Sequence, residues 1–204
     1  TLIFPRSCYG EFVATALFFG ARHHIHPTLA KDHFKFTPAT LHEALQGKST
    51  PYVFLNAPVA NPTGAIYSRN ELTELAAVAK SHHAKLILDM AFMELEFEAE
   101  KQWLKNLSSE GLQWVILASA SKHFAAGGLR FGFGITNSLN LKQALLIGAT
   151  RQPHFTVLYA MKKLYHGLNL NQPEIVASLI EQRSLLKKRA DRFCKVLRDT
   201  GWSP

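Results

Sequence analysis

Short apolar runs separated by helix-patterned stretches dominate this chain, and that alternation limits the folds open to it. "TLIF" (1–4), "YVFL" (52–55), "KLILD" (85–89), "WVILAS" (114–119) and "RFGFGIT" (130–136) have the length and composition of buried strands, with "HHIHP" near His24 a shorter one. Between them lie stretches of helical period. Residues 12–21, "FVATALFFGA", predict a buried helix, and a second is expected near 38–46, with Thr37 as N-cap and Pro38 at its first position. The clearest starts at Ser68, where "SRNE" is a capping box and Leu72, Leu75, Ala76 and Ala79 share one face. Residues 141–147 and 172–200 carry further helical pattern. Strands alternating with helices imply an α/β fold of three layers (αβα), its mixed, mainly parallel sheet covered on both faces.

Composition excludes several alternatives. With 204 residues, 47% of them hydrophobic and 19% charged, the chain can build one core and is neither disordered nor fibrous. Its longest apolar run is about half of what spans a bilayer, so no membrane role is expected. The net charge of +8 would suit nucleic acid, yet much of it falls on the last helix, among Arg183, Lys187, Lys188, Arg189 and Arg192, as a solvated basic face. No nucleic-acid motif accompanies it. Cys8 and Cys194 have no metal spacing, and a reducing, cytoplasmic setting is expected. The histidines His23, His24, His26, His82 and His83 have no carboxylate or cysteine at ligand spacing, so no metal site is expected. There is no signal peptide, and a chain that opens on Thr1 inside a strand reads as a piece of a longer polypeptide.

Four segments carry chemistry, and each follows a strand. They are "PRSCYGEF", "NAPVANPTG", "DMAF" and "SASK", the last running into "GGLRFG". Parallel α/β sheets collect ligands at the carboxyl ends of their strands. The set supplies an aromatic ring, an amide, a carboxylate, a hydroxyl, an amine and a guanidinium. A phosphorylated heterocyclic aldehyde needs those groups: a stacking face, a partner for its ring nitrogen, donors for its phosphate and a lysine for a Schiff base.

The order "NPTG", D-x-x-aromatic, S-x-S-K and "GGLRFG" resembles the class I/II aminotransferases, pyridoxal-phosphate enzymes of fold type I, and the resemblance runs nearly the whole chain. It implies roles residue by residue. Lys122 matches the lysine that binds the cofactor covalently and later moves a proton. Asp89 matches the acid facing the pyridine nitrogen, and Asn61 the amide bonding to the ring hydroxyl. Tyr9 stands where the family stacks an aromatic ring. Ser119 and Arg130 match the phosphate-holding serine and arginine, and Gly127 and Gly128 allow the turn between lysine and arginine. Phe92 takes the place of a tyrosine whose hydroxyl contacts the ring oxygen in most relatives. The implied reaction moves an amino group between an amino acid and a 2-oxo acid, in a homodimer.

Within that family, "DMAFMELEF", "RQPHFTVLYAMKKLY" and "RDTGW" resemble the C-terminal aminotransferase-like region of the methionine S-methyltransferases. The resemblance therefore implies that residues 1–204 are a cofactor-binding large domain. The glycine- and serine-rich phosphate loop is expected before it and a small domain with a carboxylate-clamping arginine after it, so that this stretch alone is inactive. Two other functions stay open. One is a degenerate domain that regulates or assembles a methyltransferase. The other is lyase or decarboxylase chemistry on the same fold.

Overall fold

The computed structural model describes residues 1–93, 107, 111–148 and 153–202. They fall into two compact units, Thr1–Ser119 with Gly132–Gln152, and Ala120–Phe131 with Pro153–Pro204.

The first unit is built on six strands: β1 (Leu2–Pro5), β2 (His23–His26), β3 (Tyr52–Asn56), β4 (Lys85–Asp89), β5 (Gln113–Ser119) and β6 (Gly132–Thr136). Their order is β2-β1-β3-β4-β5-β6, every pair parallel except β5 with β6. Strand side chains alternate between faces, and the sequence sorts itself accordingly. Ile3, Val53, Leu55, Leu86 and Leu88 join one apolar cluster, whereas Phe4, Phe54 and Ile87 join a second. Helices α2 (Pro38–Leu45) and α3 (Arg69–Ser81) cover the first face through Leu41, Leu45, Leu72 and Leu75; α1 (Gly10–Phe18) lies on the other through Phe12, Val13 and Ala16. The three-layer, mainly parallel α/β architecture follows directly from that two-sided pattern.

Local chemistry starts the helices where the sequence places their caps. Thr37 Oγ1 accepts the Thr40 N–H at 3.2 Å, with Pro38 in the first turn. Ser68 and Glu71 close the reciprocal box: Glu71 N–H donates to Ser68 Oγ at 3.3 Å, and Ser68 N–H to Glu71 Oε2 at 2.7 Å. Leu72, Leu75, Ala76 and Ala79 are buried, the four expected from period alone.

Three expectations need correction. The 12–21 run is not a buried helix: the helix spans Gly10–Phe18, only Ala16 is buried, and Phe18 and Phe19 are 85% and 76% exposed. A helix resting on a sheet hides one stripe: Phe12, Val13 and Ala16 form it, and Leu17, Phe18 and Phe19 lie off it. A cavity of about 270 Å³ beside it, walled by Phe4, Phe12, Phe19 and Phe54, marks a thinly filled face. The last strand begins at Gly132, not residue 130, because Arg130 sits in the left-handed region (φ 50°) after a 3-10 turn at Gly127–Leu129 and cannot extend the ladder. Finally, α6 (Phe155–Asn169) is a helix that periodicity did not single out.

The first unit also holds α5 (Leu139–Gly148), and the second holds α4 (Ala120–His123), α6 and the long α7 (Pro173–Asp199). Among the described residues no helix is long and apolar enough to cross a membrane.

Candidate functional site

At the carboxyl edge of the first unit, β3 ends on Asn56 and β4 on Asp89, and these two are register partners. Partners in adjacent parallel strands project side chains to the same face. Here that is the α1 face, since Phe54 and Ile87, two residues earlier in each strand, belong to the α1 cluster. Both end residues are buried, Asn56 at 4% and Asp89 at 9% exposure. Asn56 Nδ2 donates to Asp89 Oδ2 at 2.5 Å, and Asp89 Oδ1 accepts the Ala91 N–H at 3.1 Å. Burial pushes the Asp89 carboxyl above its ordinary range, opposed by the Ala91 and Asn56 donors. On the other side, Asn56 Oδ1 accepts the backbone N–H of Tyr9, the N-cap residue of α1, at 3.4 Å. The Tyr9 ring is 45% exposed and meets Phe12 edge-on.

Asn61 lies in the loop between β3 and α3, which doubles back on itself. Ala60 N–H donates to Ala65 O, Gly64 N–H to Ala60 O and Tyr67 N–H to Pro58 O, each at 2.8 Å. Gly64, at φ 71°, occupies the left-handed conformation the turn requires. The loop is braced from below. Lys35 Nζ donates to Ile66 O at 2.9 Å and pairs with Glu71 Oε1 at 2.5 Å, and Tyr67 Oη accepts the Phe36 N–H at 3.0 Å. Asn61 is thus half-buried on a hydrogen-bonded turn. Phe92, three residues past Asp89, is half-buried as well. Ser119 ends β5, two residues beyond Leu117, the register partner of Asp89.

Lys122 and Arg130 belong to the second unit. Lys122 is exposed on α4, with its carbonyl accepting from Gln182 Nε2 of α7 at 3.3 Å. The next residue, His123, is buried and meets Tyr165 Oη through Nδ1 at 3.2 Å, which fixes α4 on α6. Arg130 is exposed, and its guanidinium donates to the Gly127 carbonyl at 3.1 Å. The structure therefore gathers Asp89, Asn56 and Tyr9 in one unit, and sets Lys122 and Arg130 on one short segment of the other.

Asn56, bonded to Asp89 at the strand edge, is the residue of this candidate site that sequence reasoning passed over. Its signal was present: β3 and β4 both run five residues and end on a polar side chain, "YVFLN" beside "KLILD". Within this unit, among the described residues, Asp89 has no ion-pair partner. A carboxylate offers about four acceptor positions, and Asn56 and Ala91 take two. A buried carboxylate with acceptor positions that no described residue takes suits a protonated ring nitrogen, which brings both a donor and a positive charge. Among the described residues no group of three or more His, Cys, Asp or Glu is placed to hold a metal ion.

Comparison with known proteins agrees with this geometry. Residues 3–204 match the family described as aminotransferase class I and II, a pyridoxal-phosphate family. The methionine S-methyltransferase of Hordeum vulgare is 32% identical over 99% of this chain, which covers 20% of that protein. This chain thus spans about a fifth of the length of such relatives. The putative aminotransferase YugH of Bacillus subtilis is 34% identical over 71% of this chain and 37% of its own length. Among solved structures, Thermus thermophilus aspartate aminotransferase with maleate superposes with a TM-score of 0.85 at 23% identity, over 98% of this chain and 51% of that one.

Proposed function

Because the chain belongs to the aminotransferase class I and II family, we propose that it is the cofactor-binding large domain, residues 1–204, of a protein that uses pyridoxal phosphate to transfer an amino group between an amino acid and a 2-oxo acid. The observation that carries the reading is Asp89, a buried carboxylate at the carboxyl edge of the sheet with acceptor positions that no described residue takes.

When bound, pyridoxal phosphate supplies an aldehyde that takes up amines and a ring that withdraws electrons from the attached carbon. The chain's own residues divide the remaining work. Asp89 holds a proton on the ring nitrogen, and the charge of that proton in turn favours its carboxylate form. Asn61 directs its amide to the ring hydroxyl from the braced turn. Tyr9 covers the ring face, and Phe92 packs beside it without offering a donor. Ser119 and Arg130 bind the phosphate, with Arg130 the stronger contact because a guanidinium engages phosphate through two parallel hydrogen bonds. Lys122 is the covalent attachment point and the base that carries the proton. The reading extends to a cytoplasmic homodimer, the usual assembly of fold-type-I enzymes.

A second reading is favoured by Phe92, which lacks the hydroxyl its relatives use, and by the similarity to methionine S-methyltransferases. On that reading the domain is a regulatory or assembly module of a methyltransferase. One experiment separates the two. The full-length protein is loaded with pyridoxal phosphate, challenged with amino donors, reduced with borohydride and mapped by peptide mass. Label on Lys122 together with a donor-dependent change in the visible band supports the enzyme. Label on Lys142 or scattered over the surface refutes the Lys122 assignment, and no visible band at all supports the module.

A further inference from the structure

We infer that Asn56 is a positioning residue for the cofactor ring: its one buried amide ties the Asp89 carboxylate to the start of the helix that carries Tyr9. The inference rests on the reading of Asp89 as the partner of the ring nitrogen.

The amide has no freedom in how it is used. Asp89 Oδ2 needs a donor and the Tyr9 N–H needs an acceptor, so Nδ2 must face the carboxylate and Oδ1 the backbone, as found at 2.5 Å and 3.4 Å. The side chain comes from the end of a buried strand in register with Asp89, and its rotamer is walled in at 4% exposure. Asn56 therefore connects the residue expected beneath the ring's nitrogen with the one expected over its face. It also acts on charge. A neutral donor at this distance favours the ionised carboxyl against the burial that opposes it. Removing it lets Asp89 hold its proton to higher pH, where a neutral carboxyl is a poorer partner for a protonated nitrogen.

Other titratable groups adjoin this edge. Arg6 and Glu11, on the β1–α1 side, are exposed, and Cys8 is half-buried with its thiol pushed up by burial. Tyr9 carries its own phenol, and the adjacent end of β5, at Leu117, contributes no titratable group. Of these, Asp89 is the buried carboxyl in contact with Asn56.

The test uses the full-length protein and pyridoxamine 5′-phosphate, which has no aldehyde and so reports ring binding independently of Lys122. Its dissociation constant is measured between pH 5 and 8 for the wild type, Asn56→Ala, Asn56→Asp and Asp89→Asn, with melting of each apoprotein as the folding control. Asn56→Ala is expected to weaken binding about tenfold at pH 7, the scale of one charge-assisted hydrogen bond. Asn56→Asp keeps shape and keeps an acceptor for Tyr9, and it folds because two touching carboxyls share a proton. It is expected to move the acid limb of the binding profile upward, which a merely space-filling role would not do. If Asp89→Asn alters affinity and profile while both Asn56 variants match the wild type, the inference is overturned and the site stands. If Asp89→Asn changes nothing, the reading of the site itself fails.

Discussion

Glu71 joins three elements, and removing it should show how far the Asn61 turn depends on them. One carboxylate oxygen accepts the Ser68 N–H at 2.7 Å and caps α3; the other pairs with Lys35 Nζ at 2.5 Å, and that same ammonium donates to Ile66 O at 2.9 Å. The Lys35 side chain is only 11% exposed, against 37% for Glu71. Glu71→Ala therefore deletes half a capping box, at about 0.5–1 kcal/mol. It also leaves a mostly buried ammonium with only the Ile66 carbonyl and the face of the Tyr67 ring among the described residues. Solvent at Glu71 screens the pair, so that loss is about 1–1.5 kcal/mol and not the 3–5 of a fully buried ion. The sum of about 2 kcal/mol corresponds to a fall in Tm of roughly 4–8 °C for a domain of this size. Glu71→Gln preserves the acceptor for Ser68 and should lose about half as much. The sign with pH is fixed. Burial raises the Glu71 carboxyl, but the Lys35 and Ser68 hydrogen bonds outweigh it and hold the group below its usual value. Stability from it is thus present above the unfolded glutamate value of about 4.3 and is lost as pH falls through the lower folded value. Urea unfolding of wild type, E71A and E71Q at pH 7 and near pH 3 measures both effects. A cost for E71A under 0.5 kcal/mol, or a wild-type-to-E71Q gap as wide at pH 3 as at pH 7, would refute the argument.

Arg130→Ala should weaken pyridoxal-phosphate affinity at least roughly tenfold by fluorescence titration, since the lost bonds are charge-assisted; an unchanged constant removes Arg130 from the phosphate site. Phe92→Tyr should lower the pH midpoint of the bound cofactor's visible band, because a phenol donating to the ring oxygen favours its anionic form; identical midpoints would show that Phe92 does not face the ring. Gly167, near the end of α6, faces two side-chain ends: a β-carbon there would run into Ile175 Cδ1 and lie 2.5 Å from Gln172 Oε1, so both side chains must shift to admit one. Gly167→Val should cost about 1–3 kcal/mol by overpacking, read as a lower Tm.

Most of the architecture was legible because it is specified locally. Caps at Thr37 and Ser68 are written in consecutive residues, and alternation within "YVFLN" and "KLILD" sorts the two sheet faces without any tertiary knowledge. What misled was hydrophobicity taken as burial. The α1 run is apolar all round, but a helix is buried all round only if something covers its outer side, and composition does not encode that. The α6 segment was missed for another reason. Val157, Met161, Leu164 and Leu168 do recur at helical spacing, but the helix is capped by His154 and not by one of the residues that usually mark a helix start. Arg130 shows a third limit, because a left-handed residue after Gly127–Leu129 delays the start of the strand by two residues, to Gly132.

At the site, Asp89 was readable as a carboxylate ending an apolar strand, whereas Asn56 was hidden beside the more distinctive Asn61. Recognising it takes register, and register emerges only when β3 and β4 are laid side by side. Energetics then bear on which function is served. Burying a carboxylate and an amide together costs solvation that one hydrogen bond from a neutral donor does not fully return, and a well-packed apolar pair of similar volume is usually at least as stable. A domain serving only as a scaffold has no use for that arrangement at a strand edge. A domain that receives a cationic ring nitrogen does, because the incoming charge stabilises the ionised carboxyl. The buried Asp89–Asn56 pair thus favours a domain that binds its cofactor over an empty relic, whatever Phe92 does to the rate of the chemistry.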